Sequence, residues 1–172
     1  MFTLNLAQQK QAQNIVNLTL GEGYIDIQKI KSSGYQKYDV FIVQHHRQVL
    51  GIAWVKFLSR EDIIKKTRNK LSFSKLTAHI DVVAIHPKFQ KKGIGNQLFK
   101  QIIKQNKHCE MLCFAWDNKG KVHLNKLLTR NNFIEIIGFK NYYLKDSLTQ
   151  GFNCSVCGFP CKCGIKIYRK GF

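Results

Sequence analysis

The chain has 172 residues, of which 44% are hydrophobic, and its formal net charge is +18. This length and apolar content predict one folded domain with its own core and argue against a disordered chain. The positive charge favours an anionic partner and argues against a cationic substrate, such as a polyamine or an aminoglycoside, which would need an acidic cleft.

The charge is distributed unevenly along the chain. Residues 82–172 hold 16 Lys/Arg against 4 Asp/Glu, whereas residues 1–81 hold 12 against 6. This distribution favours nucleic acid (RNA or DNA), an acidic protein or the phosphates of a cofactor as the partner. A lysine-rich surface produced by compositional drift would give the same balance without any such partner.

The N-terminal sequence MFTLNLAQQK lacks the basic start of a secretory signal. The longest uninterrupted apolar run, Met111–Trp116, is too short to cross a bilayer. We therefore expect a cytoplasmic protein without a membrane segment. In that compartment the six cysteines are expected to be reduced thiols or metal ligands rather than disulfides.

The first half of the chain is predicted to contain a helix and a hairpin. A short strand at Phe2–Leu4 precedes apolar residues at helical spacing over Leu6–Leu20. Asp39–Val43 and Val49–Leu58 are predicted as the two strands of the hairpin. The polar, basic stretch Ser59–Lys75 is long enough to be a mobile loop.

The second half is predicted to begin with a strand, a loop and a helix. Thr77–Ile85, TAHIDVVAI, alternates like a strand that Pro87 ends, and an apolar stripe predicts a helix over Gly93–Gln105. After it, a buried parallel strand is predicted at Met111–Trp116 and a helix at Lys119–Asn131. Two last strands are predicted at Phe133–Ile137 and Tyr142–Leu144.

Two glycines, Gly93 and Gly95, lie at the junction between this loop and its helix. N–H groups at a helix start that no Cβ blocks form an anion site, and three lysines add positive charge: Lys88, Lys91 and Lys92. Gly95 is followed by Asn96 rather than the lysine of a Walker loop, and Leu98 stands where a Rossmann fingerprint has its third glycine. An ordinary turn before a surface helix is the alternative to a phosphate site.

The pattern Gln-x-x-Gly-x-Gly at residues 90–95, preceded by Ile85-His86-Pro87, resembles the coenzyme A pyrophosphate loop of the GNAT superfamily of N-acetyltransferases. The resemblance covers residues 1–148. It implies an α/β (α+β) fold with a mixed, mostly antiparallel central sheet, a splayed parallel strand pair, and helices on both faces. It also implies that strand and loop residues bind acetyl-CoA: Val83, Ala84, Ile85, Gln90, Lys91, Lys92, Gly93, Ile94, Gly95 and Asn96.

The same resemblance implies candidate catalytic residues. In several protein-acetylating members a glutamate eleven residues before the loop glutamine is the base; His79 holds that position here, and Asp81 follows on the same strand face. A histidine with its ordinary near-neutral pKa suits this task, although it can equally be a strand residue that only hydrogen-bonds within the sheet. The family's usual acid is a tyrosine, and Leu128 stands in its place here. Three alternatives follow: another group such as Tyr142 or Tyr143 supplies the proton, the thiolate leaves without an acid, or transferase activity is lost.

Residues 149–172 form a basic, cysteine-rich tail beyond the resemblance. Four cysteines within ten residues predict one structural zinc site, with Cys154, Cys157, Cys161 and Cys163 as ligands. A redox-active thiol cluster and unpaired surface cysteines are the alternatives. The last residues, GIKIYRKGF, are either a final strand or a basic, aromatic surface for nucleic acid.

The sequence thus predicts an acyl-CoA-dependent N-acyltransferase that moves acetyl to an amine on an anionic or macromolecular acceptor. That amine is either linked to nucleic acid or part of a protein. The competing interpretation is a non-catalytic, basic module on the same scaffold that binds nucleic acid or another partner. Release of free CoA in the presence of an acceptor separates the two.

Overall fold

A computed structural model describes residues 4–21, 26–27, 38–73, 76–151, 153–154 and 156–171. Most of the strand predicted at Phe2–Leu4 lies outside these residues. The chain divides into two compact units, residues 1–111 with 171–172 and residues 112–170. Among the described residues, no helix has both the length and the apolar character needed to span a bilayer.

Among its described residues, the first unit has three strands and three α-helices. Its elements are α1 (Leu6–Leu20), β1 (Tyr38–His45), β2 (Gln48–Leu58), α2 (Arg60–Lys66), β3 (Thr77–Ile85), a 3-10 turn (Pro87–Phe89) and α3 (Ile94–Gln105). The strands lie in the order β1-β2-β3, and both pairings are antiparallel. The predicted first helix, hairpin, third strand and glycine-led helix are therefore confirmed.

Helix α1 begins with a capping box, in which the Asn5 side chain accepts from the Gln8 N–H and the Gln8 side chain accepts from the Asn5 N–H. Its buried face, which includes Ile15 and Val16, belongs to the same core cluster as Trp54 of β2. This burial against the sheet stabilises a helix whose sequence is otherwise mostly polar.

The prediction of a loop over Ser59–Lys75 is wrong at its start, where α2 forms. Ser59 and Asp62 make a second capping box, with the Asp62 N–H donating to Ser59 Oγ at 3.1 Å. Acidic residues occupy the first turn of α2 and lysines its last turn, as the helix dipole favours. Ile63 is fully buried and anchors this short helix.

Helix α3 packs closely on the first unit's strands because β2 carries a glycine beneath it. A Cβ at Gly51 would lie 2.8 Å from Cδ1 of Ile85 and 3.0 Å from Cγ2 of Ile94. The buried residues of α3 follow the predicted stripe: Ile94, Leu98, Phe99 and Ile102. The packing positions the N-terminus of α3 at the end of β3.

The second unit contains β4 (Met111–Asp117), α4 (Asn125–Arg130), β5 (Ile134–Phe139), α5 (Leu144–Gln150) and β6 (Gly164–Lys170). Its strand order is β4-β6-β5, and β5 and β6 are antiparallel. The last-strand alternative for the chain end is therefore correct. With three antiparallel pairings across the two units, the predicted fold class, α/β with mostly antiparallel strands, is confirmed.

Two predicted elements of the second unit differ from the structure. The helix predicted over Lys119–Asn131 is shorter, because Asn118 and Lys121 exchange backbone hydrogen bonds in a turn before α4. Tyr142–Leu144 is not a strand: it follows a turn at Asn141, whose φ is 50°, and leads directly into α5. An apolar triplet alone does not distinguish a strand from the start of a helix.

Candidate active site

The loop between β3 and α3 is fixed by hydrogen bonds to the sheet and within itself. The His86 N–H donates to the Leu50 carbonyl of β2 at 3.0 Å. The Nδ1 atom of His86 accepts from the Lys88 N–H at 3.2 Å, and the Gln90 side-chain amide donates to the Ile85 carbonyl at 3.2 Å. The loop is therefore preformed rather than dependent on a ligand for its path.

Gly93 is the N-cap residue just before helix α3 and adopts the left-handed region with a φ of 84°. Glycine reaches this conformation without strain and has no side chain to cap the first turn. A Cβ built at Gly93 has no atom within 4 Å, so the space in front of the helix is open. The first N–H groups of α3, at the positive end of its dipole, are thus accessible to an anion.

Positive side chains surround this helix start. The exposed loop carries Lys88, Lys91 and Lys92, and the ammonium of Lys92 lies 5.3 Å from the ring centre of Phe89. The structure brings the predicted loop residues Gln90 to Asn96 together in one preformed, basic cradle. Such a cradle can bind a diphosphate through backbone N–H groups and lysines.

Strand β3 contains a bulge at Asp81. Across the β2–β3 pair, Trp54 faces Val82 while the next residue, Val55, faces Ile80, so that Asp81 is the extra residue. Three residues predicted to offer backbone groups follow the bulge in regular pairing with β2: Val83, Ala84 and Ile85.

His79, Asp81 and Lys56 form a cluster at this bulge. The Lys56 ammonium lies 2.8 Å from Oδ2 of Asp81, and Nδ1 of His79 lies 3.6 Å from Oδ1 of Asp81. The side chain of His79 is only 3% exposed, and that of Asp81 is 19% exposed. The two predicted catalytic side chains therefore lie close together although Asp81 is the bulged residue.

Burial lowers the pKa of His79 from 6.5 to about 4, against the opposing effect of the Asp81 charge; Lys66 and Lys56 lower it further. Burial alone would raise the pKa of Asp81, but His79, Lys56 and Lys66 outweigh it and the pKa falls. At neutral pH the imidazole is thus neutral and the carboxylate is ionised. The expectation of a near-neutral pKa for His79 is wrong because the ring is buried.

Lys56 and Lys66 were not predicted as site residues. Lys56 lies in β2, QVLGIAWVKFL, where it is the one charged residue in a strand that is apolar after Gln48, and its side chain is 13% exposed. A lysine in such a strand signals a buried charge that needs a partner. Lys66 carries no comparable signal, because it ends a polar helix that the sequence did not predict.

Tyr142 and Tyr143, the predicted alternative acids, lie half-buried in the second unit just before α5. The ring of Tyr143 lies 5.0 Å from that of Tyr142 and 5.9 Å from that of Trp116. Leu128, at the position of the family's tyrosine, is completely buried in α4. That position therefore serves packing, and an acid role for either tyrosine stays a prediction.

The four cysteines predicted as metal ligands come together in the second unit. Their sulfur atoms all lie within 4.8 Å of one another. Cys109 and Cys113 are outside this group: Cys113 is buried in β4, whereas Cys109 is partly exposed in a bend before that strand.

Comparisons with known proteins agree with this geometry. A family model described as an acetyltransferase (GNAT) domain matches residues 36–141. A search of curated proteins gave no significant match.

Several solved structures have the same fold. Arabidopsis thaliana NAA60 in complex with a bisubstrate analogue is 12% identical, with a TM-score of 0.69 over 98% of this chain and 95% of that one. The ribosomal-protein-S18-alanine N-acetyltransferase of Escherichia coli is 13% identical, with a TM-score of 0.65 over 98% and 90%. A Bacillus subtilis acetyltransferase in complex with CoA is 11% identical, with a TM-score of 0.66 over 100% and 95%. The family model covers more than half of the chain, and the chain has the same fold as these acetyltransferases. The chain therefore belongs to the GNAT family of acetyltransferases.

Proposed function

We propose that this acetyltransferase moves the acetyl group of acetyl-CoA to an amine on a macromolecular or anionic acceptor, with residues 1–148 as the transferase domain. The observation that carries the proposal is the glycine-led start of α3 behind a preformed, lysine-rich loop. The diphosphate of CoA is the kind of anion that binds such a helix start. The similar Bacillus subtilis structure contains CoA.

The transfer requires a neutral amine whose nitrogen attacks the thioester carbonyl carbon. The C–N bond forms, the C–S bond breaks, the surplus amine proton passes to a base, and the departing CoA thiolate takes up a proton. A backbone N–H from Val83, Ala84 or Ile85 would polarise the carbonyl. Much of the rate comes from holding the two reactants in position.

His79 is the proposed base, directly or through a water molecule. Its ring is neutral at neutral pH, so a nitrogen lone pair is available to accept a proton. The ionised carboxylate of Asp81, 3.6 Å from Nδ1, would stabilise the imidazolium that forms. Lys56 holds that carboxylate in place at 2.8 Å.

A base with a pKa of about 4 is weak, so the acceptor's own pKa matters. An α-amino group titrates near pH 8 and a lysine near 10.4, so at neutral pH the neutral fraction is about two hundred times larger for the α-amine. The proposed acceptor is therefore an α-amine, either at the N-terminus of a polypeptide or on an aminoacyl group carried by RNA. The Escherichia coli structure is that of an enzyme named for an alanine of a ribosomal protein. The chain's net charge of +18 suits an acceptor bound to something anionic.

Turnover with a panel of acceptors tests this function. Purified protein and acetyl-CoA are combined with a peptide with a free N-terminus, the same peptide blocked at that end but carrying a lysine, an aminoacyl-RNA, or a polyamine. Mass spectrometry measures the acetylated product and free CoA. We expect α-amines to react fastest. A preference for lysine or polyamine would overturn the acceptor class, and CoA binding without product from any acceptor would favour the non-catalytic module.

A further inference from the structure

The segment between α5 and β6 holds four thiols at metal-binding distances. We propose that Cys154, Cys157, Cys161 and Cys163 bind one zinc ion, and that this ion is a structural element of the second unit. The inference is independent of the transferase reaction, since it rests on this cluster alone.

The sulfur positions match a tetrahedral site. Cys157 Sγ lies 3.6 Å from Cys161 Sγ and 3.4 Å from Cys163 Sγ, and Cys154 Sγ lies 3.9 Å from Cys163 Sγ. Four sulfurs around a zinc ion, each at a Zn–S distance of about 2.3 Å, lie about 3.8 Å from one another. These three separations fall on both sides of that value and all six lie within 4.8 Å, so a zinc ion fits between the thiols with sulfur shifts of about 1 Å or less.

The backbone shapes the first pair of ligands into a turn. Cys154 and Gly158 exchange two backbone hydrogen bonds, at 2.9 and 3.2 Å. The Val156 N–H points at Cys154 Sγ at 3.4 Å, and the Lys162 N–H points at Cys157 Sγ at 3.2 Å. N–H groups directed at sulfur stabilise thiolates, as the outer-shell partners of metal ligands do.

The donor set indicates zinc in a structural role. Four thiolates favour a soft or borderline ion in tetrahedral geometry and leave no open position for a substrate or water. Each thiol loses its proton to solvent as its Zn–S bond forms, so the site carries a charge of −2. Cys161 is completely buried and Cys154 and Cys163 nearly so, which protects these bonds. The strongly positive chain compensates for the charge.

The cluster connects α5 to β6. The Cys161 N–H donates to the buried Ser147 Oγ of α5 at 3.0 Å, and Trp116 and Tyr143 pack against the cysteines. Cys163 immediately precedes β6, which lies between β4 and β5. Zinc at this point closes the loop that leads into the inner strand of the second unit. Loss of the ion is therefore expected to loosen β6 and not the loop alone.

Metal analysis tests the site. Full-length protein is purified under reducing conditions without a metal-affinity step, and its metals are measured by mass spectrometry. We expect about one zinc per chain, retained in Cys109→Ser, which lies outside the cluster, and lost in Cys157→Ser. Cys157 is the exposed ligand, so that its replacement disturbs packing least. Zinc absent from reduced wild-type protein, zinc retained in Cys157→Ser, or iron in place of zinc would overturn the assignment.

A second measurement on the wild-type chain does not depend on a variant that folds. Zinc is removed with a chelator and replaced by Co²⁺, whose visible spectrum reports tetrahedral thiolate coordination at a ratio of about one ion per chain. Hydrogen exchange is followed in parallel. We expect faster exchange in β6 after zinc removal and its recovery with either metal. A cobalt spectrum without thiolate bands, or exchange in β6 that is the same with and without metal, would refute the structural site.

Discussion

The buried, neutral His79 should make the first unit less stable in mild acid. In the unfolded chain a histidine takes up a proton as pH falls through about 6.5, whereas the folded protein resists protonation of His79 until about pH 4. Between these values the unfolded state binds more protons, so the free energy of unfolding decreases as pH falls. At about 1.4 kcal/mol per pKa unit, the full effect is about 3 kcal/mol, most of which is lost between pH 7.5 and pH 4.5.

The change is His79→Gln, which replaces a group that titrates by a neutral one. Urea titrations at pH 7.5 and 4.5 are followed by tryptophan fluorescence in a Trp116→Phe background, so that Trp54 of β2 reports on the first unit. We expect the loss of stability between the two pH values to be about 2–3 kcal/mol smaller in His79→Gln than in its parent. Asp81 stays ionised at pH 4.5 because its pKa is lowered, so it adds little to this difference.

His108→Gln is the matched control, since His108 is an exposed histidine of the same unit. The free energy of unfolding of His108→Gln should change with pH as that of its parent does. Equal pH dependence in His79→Gln and its parent would refute the reasoning, because it would mean that the imidazole is protonated as easily in the folded chain as in the unfolded one.

Four further changes test the site and the packing that positions it. His79→Gln should lower kcat by about a hundredfold or more while calorimetry shows unchanged CoA affinity; an unaltered rate would assign the proton to water. Gly93→Asp places a negative charge at the start of α3 and should weaken CoA binding by about tenfold, whereas Gly93→Asn, which also tolerates a positive φ, should bind nearly as the parent does. Equal affinities of these two variants would argue against a diphosphate at this helix. Gly51→Ala introduces a Cβ 3.0 Å from the branched Cγ2 of Ile94 and 3.3 Å from the Ala84 carbonyl oxygen, and should cost about 1 kcal/mol in urea unfolding. Leu128→Tyr overfills a completely buried site and should cost about 1–3 kcal/mol; a stable variant would show that the family's tyrosine can be accommodated there.

Several features followed from the sequence because their signals are local. The alternation of TAHIDVVAI, Pro87 and the stripe of α3 predicted a strand, a loop and a helix, and the structure has them at Thr77–Ile85 and Ile94–Gln105. The glycine pattern indicated an anion site because a glycine places no side chain in front of the first N–H groups of a helix. The four cysteines likewise lie within ten residues, a separation that a short turn can close.

Other features depended on residues far apart in sequence. Lys56 and Lys66 act on His79 from β2 and α2, and no local pattern indicates that a lysine more than ten residues away lowers a histidine pKa. The bulge at Asp81 is a property of the β2–β3 register, which pairing across two strands determines. The sequence by itself thus determined the strand, loop and helix over residues 77–105 and the glycine-led, basic start of that helix. Only the tertiary structure decided that His79 is buried and neutral, because desolvation and the charges around it depend on the packing of the whole unit.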